Sequence, residues 1–317
     1  MAYGLDGTTQ TATTLLRELC GLDVEVLFVF GGTGANVVAL SALLGRAESV
    51  LCTSVAHINV DETGAPEKIL GVKLADVPRE DGRLRPSDIH DASGALGNVH
   101  HVQPGVVSIT QATELGTLYS PPEIADICDA AHSRGMRVHM DGARIANAVA
   151  ALGGTADTFR SLTFGAGIDA LSFGGTKNGM LGAEVVLLRP GLADGRAQWQ
   201  RKQSAQLPSK MRYVSAQFVH ALSTGLWLET AANANARATE LYRALADLPQ
   251  LGLEPPAVNS LYPTLPQPVR GELQRWNFFW DWDTARDQVR WMTSWDTTSE
   301  DVQLFAAGVR KALTESQ

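Results

Sequence analysis

Only three cysteines occur in 317 residues, Cys20, Cys52 and Cys128, an odd number at wide spacing with no Cys-x-x-Cys pair. This argues against a disulfide framework and offers no zinc-site pattern, so each is expected to be a small buried hydrophobe. No metal site is expected. Runs of lysine and arginine are also missing: 26 basic against 34 acidic residues leave a formal charge of −8 and a pI near 5.4. That balance argues against nucleic acid as a partner. No apolar stretch reaches membrane length, and the start of the chain carries no basic-then-apolar signal pattern. Neither membrane insertion nor export is expected, and the expected location is cytoplasmic. Internal repeats and low-complexity segments are absent as well. What is present, 44% hydrophobic and 19% charged residues, suffices for a large core, with length for one large domain and a smaller one.

Short β-rich runs alternate with helical stretches. Residues 24–30 read as a strand, followed by Gly31-Gly32-Thr33-Gly34 and a helix over 35–44; residues 50–55, 69–74 and 106–110 are further strands. Pro121 and Pro122 open a helix towards Arg134, Gly135 ends it, and strands follow at 137–140 and 169–173. After a strand at 184–188 the pattern changes. Residues 191–208 read as a polar connection, 211–248 as one or two long helices, and the proline-rich 251–271 as loop. Two apolar runs, 276–282 and 289–295, precede a helix over 299–313 that Ser299 and Asp301 suit as a start. This predicts an α/β domain with a mostly parallel central sheet over 1–235 and a smaller α+β domain over 236–317. Most of the tryptophans, Trp227, Trp276, Trp280, Trp282, Trp291 and Trp295 among them, are expected to pack in core and between domains.

Strands ending in glycine and polar residues place chemistry at the carboxyl edge of such a sheet. Two endings stand out. In Ser172-Phe173-Gly174-Gly175-Thr176-Lys177-Asn178-Gly179 a lysine sits in a glycine-rich turn, and His139-Met140-Asp141-Gly142-Ala143-Arg144 ends a strand in an aspartate. A pyridoxal-phosphate enzyme needs this pair: the lysine to hold the cofactor as a Schiff base, the aspartate to keep the pyridinium nitrogen protonated. The plain alternative for Asp141 is an ion pair with Arg144 or a helix cap. Arg144, if free of it, can bind a substrate carboxylate or the cofactor's ring oxygen. Gly32-Thr33-Gly34 could cradle a phosphate on the first amides of the next helix, with the Thr33 hydroxyl added. On its own it is a weak signal, unlike a P-loop and without dinucleotide-binding spacing, which makes a Rossmann oxidoreductase a poor reading.

Gly32-Thr33-Gly34-Ala35-Asn36, Ala56-His57 with Glu62 and Gly64, Asp141-Gly142-Ala143-Arg144, Lys177-Asn178-Gly179 and Val289-Arg290 together resemble the low-specificity L-threonine aldolases of the β-eliminating lyase family. The motifs run in family order from about residue 2 to residue 296. The resemblance implies a fold-type I pyridoxal-phosphate enzyme with a seven-stranded type of central sheet, cleaving β-hydroxy-α-amino acids such as threonine or allo-threonine to glycine and an aldehyde. It further implies a homodimer or homotetramer with shared sites. By the same resemblance His57 stacks on the cofactor ring and lies near the β-hydroxyl, Arg290 binds the substrate carboxylate from the small domain, and Arg212 lies near the phosphate. Two departures bear on it. Glu114 stands where many members carry a second histidine, which would repel a carboxylated side chain and alter the choice of β-substituent. Ala2-Tyr3-Gly4-Leu5-Asp6 resembles a motif that normally follows a serine-containing segment near the substrate carboxylate, which implies a truncated start or weakened activity. The rival readings are another fold-type I enzyme, a β-eliminating lyase or aminotransferase, and a non-catalytic cofactor-binding homologue.

Overall fold

Runs of Val, Ile and Leu that stop at a glycine or polar residue form β1 (Glu25–Val29), β2 (Glu48–Thr53), β3 (Lys73–Val77), β4 (Gln103–Thr110), β5 (Arg137–Gly142), β6 (Ala170–Gly174) and β7 (Glu184–Leu188). The computed structural model describes residues 1–192 and 194–315. These strands make one seven-stranded sheet in the order β1-β7-β6-β5-β4-β2-β3. β7 is antiparallel to both its neighbours, β1 and β6, and every other pairing is parallel. The carboxyl ends of β1 to β6 therefore share one edge, as the sequence pattern requires for a ligand site. β6 and β7 are buried at every residue, the mark of strands covered on both faces.

Helices fill both faces. The helix Gly32–Leu43 is apolar nearly all round, buries Val37, Val38, Ala39 and Leu40, and so lies deep in the core. A second cluster of Phe28, Phe159, Phe173, Phe218 and Trp227 packs with ring centroids 5.5–6.0 Å apart. Cys20, Cys52 and Cys128 are free and buried, and burial pushes each thiol up to about 12, which leaves them unreactive hydrophobes.

The elements depart from the sequence expectation where local signals were outweighed. Of the strand expected over 69–74, the first part belongs to the helix Ala65–Leu70, which Pro66 opens and Gly71 closes, and β3 begins only at Lys73. The polar connection contains the helix Arg196–Gln203, and the proline-rich loop contains Gln267–Trp276, with proline in its first turn. A further helix, Gly7–Cys20, is capped by Asp6, whose carboxylate accepts from Thr9 N at 3.0 Å.

The chain divides into two compact units, Met1–Leu228 and Glu229–Gln317, where the sequence reading put the division at 235/236. In the second unit β8 (Ser260–Leu261), β9 (Trp280–Asp283) and β10 (Gln288–Met292) form an antiparallel sheet in the order β8-β10-β9. Leu273, Phe279, Trp291, Phe305 and Val309 form its core. The tryptophans correct the packing expectation: Trp227 and Trp291 are buried, but Trp276, Trp280 and Trp295 are 55%, 62% and 42% exposed. Trp276 nonetheless stacks on Phe305, a position open to it because Gly308 has no Cβ.

Candidate active site

The residues that end β1, β2, β4, β5 and β6 meet at the shared edge. Asp141 closes β5 and is buried to 4% exposure. Its Oδ1 accepts from Ala143 N at 2.9 Å and its Oδ2 from Asn36 Nδ2 at 2.9 Å. Burial alone would raise its pKa, but the Lys177 charge, the Ala143 amide, Asn36 and His139 together hold it below the ordinary carboxylate range. A buried carboxylate is thus kept ionised within reach of a lysine. Lys177 is exposed, in the tight turn Thr176–Asn178 that follows β6. That turn is fastened by Asn178, whose Nδ2 donates to Trp227 O at 2.7 Å, and by the Gly175 amide, which donates to Glu184 Oε2 at 3.2 Å. Burial raises the Glu184 pKa, with Thr176 and Lys177 opposing.

Two glycines allow this closeness. A Cβ on Gly174 would lie 2.6 Å from Ala143 O and 2.7 Å from its Cα, so the ends of β5 and β6 touch through backbone. Gly174→Ala is expected to destabilise the protein by about 1–3 kcal/mol, the usual cost of overpacking, because backbone cannot rotate away. Chemical denaturation would measure it, and an unchanged midpoint would refute it. On Gly142 a Cβ would lie 2.9 Å from Ser172 O.

His57 begins the short helix His57–Val60 after β2. Its Nδ1 lies 2.8 Å from Glu62 Oε1, and its backbone amide donates to Glu114 Oε1 at 2.7 Å. Glu62, its side chain fully buried, also accepts from Asn36 Nδ2 at 2.8 Å. One carboxamide therefore joins both carboxylates, and His57, Glu62 and Asp141 each bring a ligand-type atom within 4.8 Å of the others. Glu62 raises the His57 pKa; burial and Lys177 oppose this, and Asp141 adds to it.

The other expected site residues fall as follows. Gly32, Thr33 and Gly34 form the first turn of the helix Gly32–Leu43, one turn before Asn36, with Gly31 as a cap that makes no side-chain hydrogen bond. Space above Gly32 is open, whereas the Gln206 side chain lies directly over Gly34. Arg144, half-buried, stands at the N-cap position of the helix Ile145–Leu152 just after Asp141, its side chain making no capping hydrogen bond. Glu114 is buried with Oε1 accepting from Thr110 Oγ1 at 2.9 Å as well as from His57 N, and burial followed by Asp141 raises its pKa. It thereby braces the His57 turn. Arg212 starts the helix Arg212–Thr224, donates to Met1 O at 2.8 Å and attracts Asp6. Arg290 belongs to the second unit, its guanidinium 4.4 Å from the centroid of the Trp282 ring.

Sequence reasoning carried Asn36 and Glu62 only as motif residues of the family resemblance and assigned no role to them or to His139. His139 lies fully buried between Ser108 Oγ at 2.9 Å and Ser172 Oγ at 3.1 Å, joining β4, β5 and β6. Burial drives its pKa down to about 4 against the pull of Asp141, so it is neutral at physiological pH.

The comparisons agree with this geometry. The β-eliminating lyase family model matches residues 1–265. A low-specificity L-threonine aldolase from a Pseudomonas strain is 40% identical over 99% of this chain and 90% of its own. One from Pseudomonas aeruginosa is 39% identical over 98% and 89%. Among solved structures, a Leishmania major threonine aldolase has a TM-score of 0.89 at 30% identity, over 98% of this chain and 91% of its own. A serine palmitoyltransferase from Sphingomonas wittichii, 13% identical with a TM-score of 0.70 over 98% and 77%, shares the fold alone. Family model, whole-length relatives and the arrangement at the sheet edge converge, and the chain belongs to the β-eliminating lyase family as a threonine-aldolase-like lyase.

Proposed function

We propose that the chain, with pyridoxal 5′-phosphate bound, cleaves the Cα–Cβ bond of β-hydroxy-α-amino acids such as L-threonine and L-allo-threonine, giving glycine and an aldehyde. The observation that carries this reading is the buried Asp141 at the carboxyl edge, both its carboxylate oxygens held by donors from Ala143 and Asn36, with the Lys177 charge favouring its ionised form. The surrounding donor set fits the cofactor. Among the described residues, Asn36 Oδ1 and Glu62 Oε2 are buried with no hydrogen-bond partner, and Gly31, at the cap position, has no side chain to occupy the first-turn amides at Gly32-Thr33-Gly34. Those amides and Thr33 would hold the phosphate, Asp141 the ring nitrogen, and Lys177 the aldehyde carbon. When bound, the cofactor supplies an electron sink for the pair left on Cα as the bond to Cβ breaks.

The chain's own groups supply the rest. Arg144 binds the substrate carboxylate, which sets which Cα bond stands in line for cleavage. The hydrogen bond to Glu62 fixes a proton on His57 Nδ1 and leaves Nε2 to accept the β-hydroxyl proton. Cleavage is therefore expected to rise with pH through the elevated His57 pKa, since the imidazole must be neutral to act. Glu62→Gln removes the charge that favours the imidazolium, so it is expected to lower that pKa and move the acid limb of kcat/KM to lower pH. An unmoved limb, or a His57→Asn variant cleaving at the wild-type rate, would sink the assignment.

The function itself is tested by product analysis. The purified protein with pyridoxal phosphate and L-threonine or L-allo-threonine is expected to form glycine and acetaldehyde in equal amounts. Keto acid or ammonia in their place would favour an elimination or transamination chemistry on the same fold.

A further inference from the structure

β1 is the last strand of the large sheet, so one side of its backbone has no strand partner among the described residues. Arginines cover both ends of that side: Arg17 Nε donates to Val24 O at 3.0 Å, and Arg201 Nη1 to Phe28 O at 3.4 Å. Backbone groups alternate along a strand, so the amide and carbonyl of Val26, midway, point the same way. Val26 lines a cavity of about 270 Å³ together with Thr9, Thr13, Glu25, Arg201 and Met211.

The cavity holds an unclosed pair of opposite charges. Gln198 Nε2 donates to Glu25 Oε1 at 2.9 Å, but Glu25 Oε2 and Arg201 Nε are buried with no hydrogen-bond partner among the described residues. Among the described residues no salt bridge joins Glu25 to Arg201, although each is close enough for Glu25 to oppose the lowering of the Arg201 pKa by burial. Buried polar atoms of this kind call for a partner, and charged ones call for it most strongly. A simple anion would satisfy Arg201 but stand beside the Glu25 carboxylate, and a simple cation would do the reverse. A molecule carrying both charges meets both needs and adds no net charge.

We propose that this cavity binds a small free α-amino acid as its zwitterion, with the carboxylate on Arg201, the ammonium on Glu25 and the side chain against Met211. The volume admits a small amino acid; the Thr13 hydroxyl, whose proton goes to Thr9 O, can still accept from the ammonium, and the Val26 backbone supplies further hydrogen bonds. The site lies on the outer edge of the sheet, served by residues that the lyase reaction does not use.

The test titrates the protein, loaded with pyridoxal phosphate, with L-alanine, which has no β-hydroxyl to cleave. Calorimetry reads all binding, and the cofactor's visible absorbance separately reports alanine that reaches the Lys177 site. One saturable event per chain without an absorbance change is expected. Arg201→Met and Glu25→Gln are each expected to weaken that event at least about tenfold, as loss of a charge-assisted hydrogen bond would, while leaving the absorbance response intact. Heat that saturates only together with the absorbance change overturns the proposal. So does an absence of heat, or an affinity unchanged in either folded variant, since each describes a crevice filled by water. The two substitutions remove opposite charges, so if one fails to melt cooperatively the other still decides. If the protein takes up no cofactor, the same titration of the chain alone gives the answer.

Discussion

Lys177→Ala is expected to reduce cleavage of L-threonine by more than about 10³-fold, the scale of loss when a covalent nucleophile is removed from a group that acts as a unit. Lys177 sits exposed in a turn that Asn178 and Gly175 fasten independently, so the fold should survive its removal. A matching melting curve would establish that. The visible absorbance band that forms on mixing wild-type protein with pyridoxal phosphate should be missing from the variant, even where the phosphate and ring are still bound. Lys177→Arg is a sharper control, because it keeps the positive charge that holds Asp141 ionised but offers no amine of suitable basicity. If charge alone were at issue, arginine would restore turnover. If the amine is at issue, alanine and arginine will be equally inactive, and only an added small amine will restore a fraction of the rate to the alanine variant. Wild-type turnover in either variant would remove Lys177 from the reaction.

The sheet was legible because its signals are local. Each of β1, β2, β4, β5 and β6 is an apolar run stopped by glycine or a polar residue, and that ending also puts Asp141 and Lys177 at one edge. Helices in weakly apolar sequence were not legible. Arg196–Gln203 carries one buried residue, and Gln267–Trp276 begins among prolines that mark a helix start as readily as a loop. At the site, reading each residue by its type found the groups that do chemistry and missed those that position them. Asn36 and Glu62 act through distances between elements far apart in sequence, 26 residues between one pair and 105 between Asn36 and Asp141. No spacing rule reports such a contact. Glu114 illustrates the same limit from the other side. It was singled out for substrate preference, yet its carboxylate also carries the His57 amide and the Thr110 hydroxyl. Arg212 and Arg290 were placed by resemblance; their contacts here are Met1 O for the first and the Trp282 ring for the second.

Asp141→Asn separates charge from shape and is expected to lower kcat by about 10²–10⁴-fold, the range of a misplaced proton at a reacting system. The side chains are nearly isosteric, but their hydrogen-bonding capacity differs. Both Asp141 oxygens accept, one from Ala143 N and one from Asn36 Nδ2. An asparagine can accept at only one of these positions, and at the other its NH2 meets another donor. Removal of that bond should destabilise the protein by about 1–3 kcal/mol, the usual cost of an unsatisfied buried group. Acid sensitivity gives an independent reading of the charge. The folded-state pKa of Asp141 is depressed, so its ionisation contributes stability that is fully present above the unfolded value of about 3.9 and is lost as pH falls through the folded value. The variant has no such proton to take up, so the stability gap between it and wild type should narrow as pH falls below about 4. A gap constant across that range would mean that the folded-state pKa of Asp141 is not depressed. The kinetic loss would then have to come from displaced backbone at Ala143, and Asp141→Glu, which keeps charge but not geometry, would distinguish the two.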